Sequence, residues 1–227
     1  MLGGLFSNKS TAAVFVDYEH WYYGYKNIFA MRPNVEEWYK ELKEEYNVKS
    51  ITFFGDFHGS SIERDLERLE KLDAKHINKN VMSLLRPENF NEIVVHTAST
   101  KDGVDKDFTD FIILDAIYRE AAKKNSPEVF IIFTGDAHFN LAIKYLRELK
   151  KKVIVYGVKH SLSNKLKASA NSYVEMPRSN QERKYYYDAI LQSLYILKKR
   201  RKMATYSKTV ENVSAHSGVS RERIQAA

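Results

Sequence analysis

Three segments of this sequence place aspartates where an apolar run ends or a helix begins. Asp17 closes the run AVFVD, Asp136 follows the run VFIIFT, and a third segment carries Asp105, Asp110 and Asp115. Carboxylates that converge without a partner repel one another, and their pKa values rise. A hard divalent cation such as Mg²⁺ relieves this repulsion and can activate water or neutralise charge on a phosphate. One aspartate after a strand is usually a loop residue, but three such segments in one chain predict a metal site.

The elements that would position these aspartates alternate between strands and helices. Apolar runs predict strands at residues 13–17, 51–57, 92–96, 129–134, 153–158 and 173–176. Apolar residues recur at helical spacing at residues 62–72 and 139–149, and Thr109 is predicted to cap a third helix. This alternation is typical of an α/β fold whose mostly parallel sheet is covered on both faces. Sites in such sheets lie at the carboxyl ends of the strands, where Asp17 and Asp136 are expected.

The composition excludes thiol chemistry, and the distribution of charge indicates a polyanionic partner. The 227 residues include no cysteine, so disulfides, thiolate zinc sites and a cysteine nucleophile are excluded. The sequence shows no secretory signal and no apolar stretch of the roughly 18 residues that span a bilayer, and we expect a cytoplasmic protein without a membrane partner. The net charge is +7, and residues 178–227 hold 11 basic against 4 acidic residues. Such uneven charge suits a polyanion, although a solvated helix end is the simpler alternative.

The order of the motifs resembles that of the NYN domain family of PIN-like ribonucleases. The resemblance rests on the apolar strand that ends at Asp17, on KDGVD at residues 101–105, and on TGDAHF at residues 134–139 followed by an amphipathic helix and VIVYGV. The sequence SLSNKL at residues 161–166 is similar to the family's closing helix, and the match covers about residues 12–177. It implies a Rossmann-like, three-layer PIN-like fold, a site loaded with Mg²⁺ or Mn²⁺, and hydrolysis of phosphodiester bonds, usually in RNA.

Two histidines depart from the family pattern at the predicted site. His20 stands where the family usually has asparagine, and His138 stands where it often has a second acid. Because histidine titrates near neutral pH, either residue could tune the choice of metal, act as an acid or a base, or donate a hydrogen bond to a phosphate. The same replacements are compatible with a degenerate site that binds nucleic acid without cutting it.

The middle motif aligns with the family in two registers. In the first, KDGVD makes Asp105 and Asp110 the family acids; in the second, the predicted helix start makes Asp110 and Asp115 the pair. Asp115 lies in the otherwise apolar sequence FIILDAI, where we expect a buried carboxylate that would be costly without a metal or a partner. We therefore predict that Asp17, Asp110 and Asp136 bind metal and catalyse, with Asp105 or Asp115 completing the set.

Other side chains near these motifs could contact the substrate. Lys101 could bind phosphate, and so could Lys165 and Lys167, although all three are compatible with ordinary surface lysines. The aromatic residues after Asp17 could stack bases, although packing beneath a loop is the favoured interpretation; they are Trp21, Tyr22, Tyr23 and Tyr25.

The chain beyond Pro177 is predicted to be an extension of the nuclease domain. We predict that domain at residues 1–177, a basic linking helix at 178–204 and a partial helix–turn–helix at 205–227, which stops within its second helix and is interpreted as a truncated winged-helix module. Within the basic run, Lys199, Arg200 and Arg201 are predicted to bind nucleic acid. One face of the linking helix is apolar and could pack on the domain or form a homodimer; it consists of Tyr186, Ile190, Leu194 and Leu197.

The predicted function is a Mg²⁺- or Mn²⁺-dependent endoribonuclease that uses an aspartate cluster. A nuclease directed at DNA is an alternative, because acidic metal sites do not encode the sugar. A non-catalytic nucleic-acid-binding protein is the alternative from another class.

Overall fold

A five-stranded sheet organises the first part of the chain. The computed structural model describes residues 9–55, 62, 98–99, 105–106 and 109–226, with backbone only at 98–99 and 105–106. Its strands are β1 (Thr11–Asp17), β2 (Asn47–Phe54), β3 (Ala98–Ser99), β4 (Asp105–Lys106), β5 (Val129–Phe133), β6 (Lys152–Val158) and β7 (Ser172–Met176). The sheet has the order β2–β1–β5–β6–β7, and its pairs β1–β2, β1–β5 and β5–β6 are parallel. The short strands β3 and β4 form a separate antiparallel pair. The predicted α/β class is confirmed.

Helices alternate with these strands. They are α1 (Tyr18–Gly24), α2 (Val35–Glu45), α3 (Thr109–Ala122), α4 (Asn140–Glu148), α5 (Asn164–Ser169), α6 (Ser179–Lys199), α7 (Tyr206–Ser217) and α8 (Arg221–Ala226). A π-helical turn, Tyr25–Phe29, follows α1, and a 3₁₀ turn, Ala137–Phe139, precedes α4. Helix α3 begins at Thr109 itself, one position earlier than the predicted cap implies. The strand predicted at 92–96 lies outside the described residues, as does the helix predicted at 62–72 apart from the buried Ile62.

The core of the sheet explains why its central strands read as unbroken apolar runs. All five residues of β5 are buried, as are the last six of β1 and the last six of β6. Phe15 packs its ring between those of Phe54 and Phe130, with centroids 6.5 and 6.0 Å away. A strand buried on both faces has no solvent side to make alternate positions polar, so it carries no polar alternation.

The aromatic residues that follow Asp17 mostly belong to the packed interior. Trp21 is fully buried and stacks on Phe133 with ring centroids 4.3 Å apart, while Trp38 meets the same ring edge-on at 5.6 Å. Tyr22 and Tyr25 are also buried. Packing, which the sequence favoured over base stacking, therefore accounts for these three residues.

The chain forms two compact units. Among the described residues, the first unit comprises the chain up to Tyr22 and from Asn34 to Glu175, and the second comprises Tyr23–Pro33 and the chain from Met176 onward. The second unit has its own small core, formed by Tyr186 of α6, Val210 and Val213 of α7, and two residues that follow α7, Val219 and Ile224. Gly218 ends α7 in the left-handed conformation, at φ 74°, which glycine adopts without steric cost. Among the described helices, none combines the length and the apolar character needed to span a bilayer.

Candidate metal centre

The ends of β1 and β5 meet at one hydroxyl group. The side chain of Thr134 donates a hydrogen bond of 3.1 Å to one carboxylate oxygen of Asp17, and it accepts one of 3.3 Å from the backbone N–H of Asp136. The backbone N–H of His20 donates to the other Asp17 oxygen at 3.0 Å. Because β1 and β5 pair in parallel register, with Val16 opposite Phe133, both aspartates lie at the same edge of the sheet, as expected.

Helix α3 brings a third carboxylate to this edge. Asp110 lies in its first turn, and Asp110, Asp136 and His138 each offer a ligand atom within 4.8 Å of the other two. Two carboxylates and an imidazole at these separations could hold one divalent cation. Mg²⁺ and Mn²⁺ suit carboxylate oxygens, and an imidazole ligand shifts the preference towards transition metals.

The carboxyl group of Asp17 has a strongly perturbed proton affinity. Burial, together with the negative charges of Asp110 and Glu19, raises its pKa from 3.8 to about 7. The hydrogen bonds from His20 and Thr134 act in the opposite direction, because they favour the ionised form. Burial and the neighbouring carboxylates thus both disfavour the ionised form of Asp17, and a cation bound beside it would favour that form.

Asp136 and His138 form a local pair. The Asp136 carboxylate accepts hydrogen bonds from the backbone N–H of His138 at 2.9 Å and lies 3.0 Å from its Nδ1. The first contact caps the 3₁₀ turn that starts at Ala137. The His138 side chain is 81% exposed, so its imidazole can turn towards a ligand without disturbing the core.

His20 lies deeper, against a glycine. Its Nε2 is 3.2 Å from the hydroxyl of Ser161, and burial lowers the pKa of its imidazole while the charge of Asp136 opposes that change. A Cβ atom on Gly135 would lie 2.3 Å from two atoms of the His20 ring and 2.8 Å from the backbone oxygen of Ser161. Gly135 is therefore required for the ring to pack where it does. No role was predicted for Thr134, Gly135 or Ser161, although all three lie within the motifs TGDAHF and SLSNKL.

The expectation that Asp115 is buried is wrong. Its side chain is 59% exposed and accepts a hydrogen bond of 2.6 Å from Arg119, four residues further along α3. The inward face of that helix instead carries Ile113 and Ile117. Asp115 already has a cationic partner at the surface, and we do not propose it as a metal ligand.

The other predicted contact residues lie in different surroundings. Lys101 lies outside the described residues, and Asp105 is described only by its backbone in β4. Lys165 is exposed, whereas Lys167 forms an ion pair of 2.8 Å with Glu175. The three basic residues predicted to bind nucleic acid are exposed and belong to the second unit; they are Lys199, Arg200 and Arg201.

Comparison with known proteins supports one family and one fold. The model of the NYN domain family matches residues 11–177. No curated protein matches the sequence. The crystal structure of a protein of unknown function, VPA0982 from Vibrio parahaemolyticus RIMD 2210633, is similar with a TM-score of 0.55 and 22% identity, covering 75% of this chain and 95% of that one. At this identity the likeness concerns the fold alone.

Proposed function

Because the chain belongs to the NYN domain family, we propose that it is a metal-dependent endoribonuclease. The observation that supports this most directly is the group formed by Asp110, Asp136 and His138, whose ligand atoms lie within 4.8 Å of one another. The group stands at the carboxyl edge of the sheet beside the buried Asp17, where α/β sheets place their sites.

The residues divide into those that would hold the cation and those that shape its surroundings. Asp110, Asp136 and His138 would be its ligands, and a bound Mg²⁺ or Mn²⁺ supplies charge neutralisation at the phosphate and a more acidic water. Thr134 holds the loops of Asp17 and Asp136 together through one hydroxyl. Once ionised, Asp17 would add negative charge beside the cation, and the cation would in turn favour the ionised form of Asp17.

The second unit is proposed to supply much of the affinity for nucleic acid. Residues 178–227 hold 11 basic and 4 acidic residues, whereas the proposed site is acidic. Basic side chains that contact phosphates release counterions, so such binding weakens steeply as salt rises. Chemistry and affinity would thus reside in different units.

The test is a cleavage assay on labelled single-stranded RNA and DNA with Mg²⁺, Mn²⁺ or EDTA. We expect cleavage of RNA that needs the metal, and a loss of orders of magnitude in Asp110→Asn and in Asp136→Asn. Asp115→Asn is the matched control, because it removes a carboxylate from the exposed side of the same helix. Equal cleavage by the Asp136→Asn variant and the parent protein would refute the proposed site.

Two other outcomes of the same assay decide between functions. Cleavage of DNA but not RNA would indicate a nuclease directed at DNA. Binding of either polymer without cleavage under every metal condition would indicate a nucleic-acid-binding protein with a degenerate site.

A further inference from the structure

Helix α6 carries an exposed stripe in which two tyrosines and a leucine lie between two lysines. At 100° per residue, five of its side chains fall within about 80° of the helix circumference; they are Lys184, Tyr187, Leu191, Tyr195 and Lys198. We refer to these five residues as the tyrosine stripe. Tyr187, Leu191 and Tyr195 are 47%, 63% and 67% exposed, and both lysines are exposed. The stripe spans about 21 Å, the rise of fourteen helical residues.

The stripe is separate from the face that packs within the second unit. Tyr186 is buried in the core of that unit, and Ala189 and Ile190 pack against that core from the same helix. Of the two acids of α6, Glu182 accepts a hydrogen bond from Tyr186, whereas Asp188 lies at the edge of the stripe. Large exposed aromatic rings on a helix whose other face already holds the core are candidates for an interaction surface.

The charge at the ends of the stripe opposes self-association. In an antiparallel pairing of two copies centred on Leu191, Lys184 of each copy would lie opposite Lys198 of the other. In a parallel pairing, each lysine would face its own equivalent. Both arrangements bring like charges together, which disfavours association. The exposed run from Lys199 to Lys202, which continues beyond the helix, adds to this repulsion.

The same arrangement is complementary to a polyanion with unpaired bases. Aromatic rings stack on exposed bases, and neighbouring cations contact the phosphates. The bases of a duplex are already stacked and paired, so exposed rings offer little to a double strand. We therefore propose that the tyrosine stripe binds a single-stranded polynucleotide. This proposal rests on the nucleic-acid partner of the proposed function, and it specifies which form of that partner is bound and by which residues.

The experiment measures binding without catalysis. Fluorescence anisotropy in EDTA compares labelled oligouridylate and oligothymidylate of roughly 12 nucleotides with an RNA duplex of the same length. We expect tighter binding of the single strands. Tyr187→Ala and Tyr195→Ala should each weaken single-strand binding roughly fivefold or more, the lower end of the range for base stacking. Binding of the duplex should change less than about twofold.

Matched variants separate stacking from general disruption. Tyr206→Ala removes an equally exposed tyrosine, at 68%, from the start of α7 in the same unit, and it should leave binding unchanged. Tyr187→Phe and Tyr195→Phe keep the rings and should bind like the parent. If an alanine variant melts at a lower temperature, Tyr→Leu at the same position keeps an apolar side chain and removes only the ring.

Three results would overturn the proposal. The first is single-strand binding that is unaffected by removal of both rings. The second is an equal loss of single-strand and duplex binding. The third is a dimer in sedimentation analysis that the tyrosine variants dissociate, since a second copy would then occupy the stripe. Failure of the nuclease is distinguishable: tyrosine-dependent binding without cleavage on addition of Mn²⁺ upholds the stripe and refutes the enzyme.

Discussion

Replacement of the buried carboxyl group of Asp17 is expected to stabilise the metal-free protein. Without a cation, ionisation of this group above about pH 7 places a charge in a poorly solvated position beside the charges of Asp110 and Glu19. Asparagine keeps nearly the same shape and removes the charge. A site residue whose removal raises stability is the signature of a group retained for binding rather than for folding.

The size of the stabilisation by Asp17→Asn follows from the shift in the pKa of Asp17. A rise in pKa from 3.8 to about 7 disfavours the ionised form by about 4 kcal/mol, at 1.36 kcal/mol per tenfold change. Asparagine loses part of the hydrogen bonding from His20 and Thr134, at a cost of about 1 kcal/mol. The net gain in the free energy of unfolding is then about 3 kcal/mol at pH 8, or a rise in melting temperature of roughly 6–12 °C.

The pH dependence has a definite sign. Below pH 3.8 the carboxyl group of Asp17 is protonated in both the folded and the unfolded chain, so it causes no loss of stability. Between 3.8 and about 7 the unfolded chain releases the proton first, and the free energy of unfolding falls as the pH rises. The advantage of Asp17→Asn should therefore be absent near pH 4, grow through this interval and be complete above pH 7.

The assay is thermal unfolding in EDTA from pH 4 to 8, followed at pH 8 by addition of Mn²⁺. The cation should stabilise the parent protein more than Asp17→Asn, because a ligand that binds only the folded state raises its stability. Asp115→Asn, which alters an exposed carboxylate, should shift the melting temperature by less than about 2 °C. A variant Asp17→Asn that melts at or below the parent temperature at pH 8 would refute the reasoning.

Three further outcomes are expected. Gly135→Ala places a Cβ atom 2.3 Å from the His20 ring. It should destabilise the protein by about 1–3 kcal/mol and shift the imidazole proton resonances of His20. Unchanged spectra would contradict the packing of His20 against Gly135. His138→Asp should lower the preference for Mn²⁺ over Mg²⁺ in calorimetric titration, because an imidazole ligand gives way to a carboxylate; an unchanged ratio would exclude His138 as a ligand. Charge reversal at residues 199–201 should weaken nucleic-acid binding at least about tenfold at low salt and flatten its salt dependence, and unchanged affinity would remove the basic run from the interface.

The parts of the fold that could be predicted from the sequence are those in which one local pattern determines burial. Strands β1, β5 and β6 are unbroken apolar runs because both of their faces are covered. Helix α2 was not predicted, because its charged residues dilute the apolar pattern. Its start signal is nevertheless present: the Asn34 side chain accepts a hydrogen bond from the backbone N–H of Glu37.

Helical spacing in the sequence already argues against the register of the middle motif that pairs Asp110 with Asp115. Asp110, Ile113 and Ile117 lie three and four residues apart, so they share the inward face of α3. Asp115 lies two residues from each isoleucine and must point away. Its apolar neighbours were misleading, because Phe111 of the same run is 67% exposed. Membership of a site depends on the face of the helix rather than on the average hydrophobicity of the segment.

The contacts that escaped sequence reading are those between distant positions. The hydroxyl of Thr134 joins Asp17 to the loop of Asp136 across 117 residues, and the hydroxyl of Ser161 lies beside His20 across 141 residues. No local pattern encodes such a partner. Only the parallel pairing of the strands brings these side chains together.

The segment Tyr23–Pro33, which belongs to the second unit, is held by residues that lie far along the chain. The hydroxyl of Tyr185 donates to the backbone oxygen of Ala30 across 155 residues, and Arg223 donates to that of Ile28 across 195 residues while lying over the ring of Phe29. At the usual pace of translation, 195 residues take about 10–40 s. During that interval Arg223, which contacts Ile28 and Phe29, has not yet been synthesised. These contacts can therefore form only after β7, the last described strand of the sheet, has been synthesised, because that strand ends at Met176.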